Sequence, residues 1–105
     1  MDVFEFKDYK EFINRTIEAM PKKGYGTYRK IAHHLSINSV MVSQIFKGDR
    51  HLTSEQAHRI SEFFGLNELA TDYFILLVQI QRAGTHTYKS RLEKKLEELR
   101  AKSRD

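Results

Sequence analysis

The stretch "IAHHLSINSVMVSQIFKGDR", residues 31–50, contains two short helical runs separated by a few residues that favour a turn. The second run, residues 39–47, carries apolar side chains at Val40, Met41, Val42, Ile45 and Phe46. A surface helix of this length normally buries one apolar stripe and exposes polar side chains elsewhere. Because apolar residues occur on both sides of this run, either it is buried all round or one side meets something other than water.

The two faces of this run follow from the helical advance of about 100° per residue. With Val42 set at zero, Ile45 lies at about 300° and Phe46 at about 40°, so we expect these three side chains to share the core face. Val40 lies at about 160° and Gln44 at about 200°, on the opposite side. We therefore expect an apolar inner face and a mixed outer face.

The length and composition predict a single domain with one modest core, because the chain has 105 residues of which 40% are hydrophobic. No stretch approaches the roughly 18 apolar residues that a membrane span needs. The first ten residues are acidic and aromatic, unlike a secretion signal, so we expect a cytoplasmic protein. The absence of cysteine excludes disulfides, zinc–thiolate sites and thiol catalysis.

Positive charge is concentrated in two segments, although the whole chain has a net charge of only +4. Residues 22–60 carry seven basic and two acidic side chains, and residues 85–105 carry seven basic and four acidic ones. Residues 1–21 and 61–84 each have a net charge of −2. Clustered basic residues between acidic segments indicate a surface for a polyanion, and the alternative is a solvated face of mixed charge.

Helical spacing and capping residues predict an all-α fold of about five helices plus a C-terminal charged amphipathic helix. We expect helices at about residues 8–20, 28–35, 39–47, 54–64, 67–84 and 87–103. The expected N-caps are Asp8, Thr27, Asn38, Thr53 and Asn67, with Gln56 completing a capping box on Thr53. Gly48 is expected to end the third helix in a left-handed conformation. We expect a domain of residues 1–84, followed in residues 85–105 by a C-terminal amphipathic helix that can serve as a dimerisation element.

The order of residues in the opening stretch is similar to a known DNA-binding pattern. The matching positions are Ile31, Ala32, Leu35, Ile37, Asn38, Val42, Ser43, Ile45, Lys47, Gly48 and Arg50. They resemble the helix-turn-helix of the Cro and phage-repressor family, also called the xenobiotic-response-element type, and the likeness covers roughly residues 10–66. The chain departs from that pattern at Ser36, where a turn glycine is usual, and at Tyr28, where a glutamine is usual. Residues 73–84 and the charged helix after them are similar to a family of longer bacterial regulators with this module at the N-terminus.

The resemblance implies a sequence-specific regulator of transcription that binds double-stranded DNA. It puts Ser39, Val40 and Gln44 at base-reading positions, with Met41 and Ser43 at the margin. A carboxamide such as that of Gln44 can bond an adenine edge, and Val40 can pack on a thymine methyl group, so we expect an A·T-leaning site. The implied phosphate contacts are Tyr28, Arg29, Lys30, Lys47, Arg50 and His51.

Apolar residues in the last two helices exceed what one buried stripe needs, and this excess predicts a homodimer. The expected dimerisation residues are Tyr73, Leu77, Ile80, Tyr88, Leu92, Leu96 and Leu99. A two-fold dimer would separate the paired recognition helices by roughly 34 Å, one turn of DNA. The alternative for the last helix is that it folds back on its own domain.

The main alternative function is a protein-interaction module, because Val40 and Met41 can also form an apolar docking patch. No arginine or asparagine stands at a base-reading position to oppose that interpretation. An enzyme is not expected, since the sequence has no glycine-rich phosphate loop, nucleophile elbow or acid–base pair. No cofactor, metal or membrane partner is expected either. His33 and His34 point about 100° apart on a helix, and no ligand cluster surrounds them.

Overall fold

The chain is entirely helical in a computed structural model that describes all 105 residues. The six α-helices are α1 (Tyr9–Glu18), α2 (Thr27–Leu35), α3 (Ser39–Lys47), α4 (Ser54–Phe63), α5 (Glu68–Arg82) and α6 (His86–Ser103). Short 3-10 turns at Val3–Glu5 and Pro21–Gly24 precede α1 and α2. The predicted all-α class is confirmed, and each predicted helix lies within two residues of its expected bounds.

Side-chain caps define the N-terminus of five of the six α-helices. The capping side chains, which accept hydrogen bonds from first-turn N–H groups, belong to Asp8, Asn38, Thr53, Asn67 and Thr85. Thr53 and Gln56 form the predicted capping box. The predicted cap of α2 is wrong, because Gly26 is the N-cap and Thr27 is the first helical residue. The Thr27 hydroxyl is buried and donates to the sulfur of Met20 at 3.8 Å, so it does not cap the helix.

The turn between α2 and α3 is closed by backbone hydrogen bonds around Ser36. The Ile37 N–H donates to the Ala32 carbonyl at 3.0 Å, and the Ser36 N–H donates to the His33 carbonyl at 3.2 Å. Ser36 has φ 58° and ψ 41°, the left-handed conformation in which many helices end. The chain therefore reverses within residues 36–38, and α3 packs against α2.

Gly48 differs from its predicted conformation. Its φ of −125° and ψ of −152° are extended rather than left-handed. A Cβ atom at this position would lie 2.7 Å from the Gln44 carbonyl oxygen. Glycine is therefore required because the backbone passes close to the last turn of α3, and not because φ is positive.

One hydrophobic core extends through all six helices and contains 23 buried residues. At its centre α1 packs on α5, where the rings of Tyr9 and Phe12 each lie 6.0 Å from the ring of Phe74. The Tyr73 hydroxyl donates to the Phe6 carbonyl at 2.6 Å and so fixes the N-terminal segment on α5. Helix α1 also packs against α3, which in turn packs against α2, so α1 connects the α2–α3 pair to α5.

Helix α6 folds back on α5 and contributes Leu92 and Leu96 to this core. The Arg100 guanidinium donates to the Tyr73 hydroxyl at 3.0 Å and to the Phe4 carbonyl at 3.1 Å. Residues 85–105 therefore pack on residues 1–84, as in the alternative that has the last helix fold back on its own domain.

The predicted dimerisation set needs correction for the same reason. Five of its members are core residues of the single chain: Tyr73, Leu77, Ile80, Leu92 and Leu96. Burial within the chain leaves their side chains inaccessible to a second copy. Of the other two members, Tyr88 is 48% exposed and Leu99 is half-buried. The apolar excess of α5 is thus used mainly to bind α6.

Candidate nucleic-acid interface

Helix α3 separates its apolar residues as the helical period predicts. The residues buried in the core are Val42, Ile45 and Phe46. On the opposite face Val40 is 65% exposed, and Ser39 and Gln44 are also exposed. This outer face presents a hydroxyl, a branched apolar group and a carboxamide, which are groups that can contact the edges of base pairs.

Two depressions flank α3, and each is bordered by predicted phosphate contacts. The first is lined by Tyr28 and Arg29 of α2 together with Lys47 at the end of α3. The second is lined by Arg50 and His51, which follow α3. A helix in the major groove has a phosphate backbone on either side, so basic groups on both flanks suit that environment.

The remaining predicted residues lie at the surface of the same region. Met41 and Ser43, predicted at the margin, are half-buried at the borders between the two faces of α3. Lys30 is exposed beside Arg29 on α2. The structure therefore brings the predicted residues together around α3, although it changes what some of them can do.

Among the six α-helices, only α2 starts without a side-chain cap, because Gly26 occupies the capping position. Uncapped first-turn N–H groups carry the positive end of the helix dipole and can bind a phosphate. Arg29 lies in this first turn, and no acidic residue does. The positive character of the first depression thus comes from the backbone as well as from side chains.

Asn14 of α1 connects α2 and α3, and sequence reasoning missed it. Its Nδ2 donates to the Phe46 carbonyl at 2.8 Å, and its Oδ1 accepts from the Tyr28 hydroxyl at 2.7 Å. One carboxamide therefore ties the end of α3 to the start of α2. The sequence contains one indication of this role. Asn14 and Lys10 are polar residues four positions apart, so they lie side by side along the border of the apolar face of α1.

Tyr28 is corrected from a phosphate contact to a supporting residue. A tyrosine hydroxyl has a single hydrogen, and that of Tyr28 is donated to Asn14. Burial raises the pKa of Tyr28, so the group stays neutral. The Tyr28 ring lies 5.9 Å from the Phe46 ring and 5.4 Å from the Lys47 ammonium nitrogen. The Lys47 ammonium thus lies over the Tyr28 ring, and the Tyr28 hydroxyl hydrogen is not available to another acceptor.

The loop after α3 is also held from outside, by residues that sequence reasoning missed. The Lys10 ammonium donates to the Gly48 carbonyl at 2.8 Å and to the Arg50 carbonyl at 2.7 Å. The Arg82 guanidinium donates to the Leu52 carbonyl at 3.0 Å. The backbone that carries Arg50 is therefore fixed by α1 and α5, while the Arg50 side chain remains exposed.

His51 uses one ring nitrogen inside the fold. Its Nδ1 lies 2.9 Å from the Tyr9 hydroxyl, and the Leu52 N–H donates to the same hydroxyl oxygen at 3.2 Å. The Tyr9 hydroxyl can donate its hydrogen to Nδ1, and in that tautomer the proton of a neutral His51 is on Nε2. Burial, with smaller contributions from Lys10 and Arg82, lowers the pKa of His51, and burial raises the pKa of Tyr9 to about 12. Protonation of His51 is therefore less favourable than that of a free histidine, and Nε2 is the ring nitrogen left for a further contact.

Two further features concern metals and membranes. No three histidine, aspartate or glutamate side chains come close enough together to hold a metal ion. None of the helices combines the length and the apolar character needed to cross a membrane. The candidate site therefore remains the surface around α3.

Comparison with known proteins identifies no relative: no family model, curated protein or solved structure matches the chain.

Proposed function

We propose that this protein is a sequence-specific transcriptional regulator that binds double-stranded DNA with α3 in the major groove. The observation that carries the proposal is the outer face of α3, where Ser39, Val40 and Gln44 are exposed while the inner face is buried. A helix of nine residues enters the major groove readily. Basic groups in the depressions on both flanks of this face support the same function.

The Cro/repressor-like arrangement is part of the proposal and rests on the sequence resemblance. In its favour, α2 and α3 have nine residues each and are joined by a turn of three. Ser36 adopts the left-handed conformation in that turn, at the position where the family usually has glycine. In such an arrangement α2 crosses the DNA backbone while α3 contacts base edges.

Each exposed residue of α3 has a defined role in this complex. The Gln44 carboxamide bonds the N6 and N7 edge of an adenine, which distinguishes adenine from other bases by about 1–3 kcal/mol. Val40 packs on a thymine methyl group. Ser39 donates or accepts one hydrogen bond at the entrance of the helix. The site that these residues select is A·T-leaning.

Phosphates are bound by groups that carry no sequence information. Arg29 and Lys30 pair with one backbone together with the uncapped start of α2. Lys47 and Arg50 extend the contacts along the groove, and His51 donates through Nε2. These contacts set the register and much of the affinity.

The protein acts as a homodimer in the cytoplasm, probing two half-sites roughly 34 Å apart. After the correction of the dimerisation set, a groove between α5 and α6 is the surface that fits a second copy. Its apolar residues are Ile75, Leu76 and Leu99, and its charged residues are Asp72, Lys95, Glu98 and Lys102. Its two acidic and two basic side chains would allow acid–base pairs between two copies related by a two-fold axis.

The salt dependence of DNA binding tests the proposed function. Genomic DNA fragments are titrated with the protein across a salt series, and bound complexes are resolved by gel shift. The logarithm of the binding constant is expected to fall by about 0.9 per phosphate contact for each tenfold rise in salt. Four charged contacts predict a slope of roughly −4 per protomer. The absence of a shift, or an affinity that does not change with salt, would contradict DNA binding.

The exposure of Val40 also favours a second candidate function, the protein-interaction module. In that case α3 docks its outer face on a partner protein, and the bound state is stabilised mainly by apolar contact. Val40→Asp would then abolish partner binding, while DNA fragments would show no salt-dependent shift in the preceding experiment.

A further inference from the structure

A loop outside the predicted DNA-contacting residues lies against the same surface. Residues 20–26 connect α1 to α2 and include two lysines and an exposed tyrosine. Lys23 and Tyr25 line the first depression, a cleft of about 420 Å³ that also contains Arg29 and Lys47. The loop therefore borders the same cleft as two predicted phosphate contacts, and sequence reasoning gave it no role.

The conformation of this loop is unusual and is held in place. Lys22 has φ 58° and Lys23 has φ 55°, so two consecutive residues with Cβ atoms adopt the left-handed conformation. Gly24 then presses on α1, where an added Cβ would lie 2.5 Å from the Ile17 carbonyl oxygen. Strained backbone of this kind persists only where the surrounding structure enforces it, and it is common at binding sites.

The side chains of the loop are displayed rather than packed. Tyr25 is 92% exposed, the largest exposure of any large hydrophobic residue in the chain. Lys22 and Lys23 are exposed as well, and neither forms an ion pair with an acidic side chain. The cleft contains three basic residues and one acidic residue, Glu18, so its lining has a net charge of +2. A polyanion with a hydrogen-bond acceptor at each repeat suits this surface.

We propose that residues 21–26 form a second DNA-contacting element, which seats a backbone phosphate in the cleft between Lys23, Arg29 and Lys47. Lys22 neutralises the next phosphate, and the Tyr25 hydroxyl donates to the backbone beyond the bases that α3 contacts. This inference rests on the proposed function and extends its footprint along one strand. The loop contributes affinity and register but no base preference, because it meets only phosphate and sugar.

The test compares the salt dependence of three proteins on one DNA fragment that the wild type binds. The first variant, Lys22→Asn with Lys23→Asn, removes two charges. Asparagine is chosen because it tolerates the left-handed backbone conformation of these two positions. The slope of log affinity against log salt is expected to become shallower by about 0.9 for the phosphate that Lys22 neutralises, and by a smaller amount for Lys23, which shares its phosphate with Arg29 and Lys47. The matched control, Lys89→Gln with Lys94→Gln, removes the same charge from exposed positions of α6 that do not line the cleft. Its slope is expected to equal that of the wild type.

Two single substitutions extend the test in opposite directions. Glu18→Gln removes the only acid of the cleft and is expected to raise DNA affinity by about two- to fivefold, a gain that a misfolded protein cannot produce. Tyr25→Phe keeps the ring, loses the hydroxyl donor and is expected to weaken binding by about three- to tenfold.

The outcomes separate the loop from the proposed function. If the wild type binds DNA with a steep salt dependence but the loop variant has the same slope as the α6 control, the loop inference is overturned and DNA binding stands. If Glu18→Gln leaves the affinity unchanged or lowers it, the cleft does not seat a phosphate. If the wild type itself binds no DNA, both the loop inference and the proposed function fail.

Discussion

Ser36 has a left-handed backbone conformation, which is energetically unfavourable for a residue with a Cβ atom and which a glycine would adopt freely. Its φ of 58° brings Cβ close to the following carbonyl group, an arrangement that costs L-residues roughly 1–2 kcal/mol. Ser36→Gly is therefore expected to raise the free energy of unfolding by about 1 kcal/mol, measured by denaturant titration. Ser36→Ala retains Cβ and should give no such gain. Equal stabilisation by both variants would contradict the strain.

His51 makes the stability of the fold depend on pH. The pKa of His51 in the folded chain lies below its ordinary value of 6.5, chiefly because of burial. Between these two pKa values the unfolded state binds more protons, so the contribution of His51 is complete above about pH 6.5 and decreases as the pH falls. His51→Gln is expected to remove this part of the pH dependence of unfolding. A histidine NMR titration that gives a midpoint for His51 at or above 6.5 would contradict the predicted shift.

Glycine positions illustrate how far single residues can be interpreted from sequence. The sequence predicts a left-handed conformation for Gly48. In the structure its backbone is extended, and glycine is required because a Cβ atom would clash with the Gln44 carbonyl group. Both requirements select glycine, so residue type alone cannot distinguish them. The Lys10 ammonium, which binds the Gly48 carbonyl from another helix, fixes the extended backbone, and such a contact is absent from local sequence.

At the scale of helices, Asn14 determines how the α2–α3 pair is held on α1. Asn14→Ala removes the donor to the Phe46 carbonyl and the acceptor of the Tyr28 hydroxyl, and both groups are part-buried. We expect the free energy of unfolding to fall by about 1–3 kcal/mol in denaturant titrations. Under conditions where the variant is folded, the proposed DNA affinity is expected to fall alike for all sequences, because α3, the helix proposed to contact bases, is less rigidly held.

Glu11→Ala on the same helix provides the control for Asn14. Glu11 is exposed and pairs only with Arg15 at 3.5 Å, so its removal should change stability by less than about 0.5 kcal/mol. If both substitutions have equally small effects, Asn14 does not connect the helices in solution.

Helix bounds were predictable because capping chemistry is local. The side chains of Asn38, Thr53 and Asn67 each accept a hydrogen bond from the N–H three residues later, so their position in the sequence marks the helix start directly. The contacts that build the interface are not local. Lys10 meets Arg50 and Asn14 meets Phe46 across more than 30 residues, and nothing in the hydrophobic period specifies such pairs.

For the whole molecule, α6 shows why an apolar stripe does not identify its partner. Leu92 and Leu96 have the spacing of an amphipathic helix whether they pack on α5 of the same chain or on a second copy. The choice depends on the loop at residues 83–85, which lets α6 turn back, and on Arg100 bonding Tyr73. The stripe was predicted correctly from the sequence, but its assignment to a dimer was wrong for the buried members.

Leu96→Ala distinguishes an intrachain core from a dimer interface. Loss of this buried side chain is expected to lower the free energy of unfolding by about 2–5 kcal/mol. Because α6 packs within one chain, the loss should be the same at low and high protein concentration. Lys94→Ala, an exposed change on the same helix, should have little effect. A loss that disappears at high concentration would indicate that Leu96 packs on another copy.

The most direct test of DNA reading by α3 is a comparison of base preferences among three proteins. The wild type, Gln44→Ala and Lys47→Ala are each used to select bound duplexes from a randomised pool, which is then sequenced. We expect an A·T-leaning motif for the wild type, loss of preference at one adenine for Gln44→Ala, and an unchanged motif with weaker binding for Lys47→Ala. An unchanged motif for Gln44→Ala, or an altered one for Lys47→Ala, would contradict a major-groove contact by the outer face of α3.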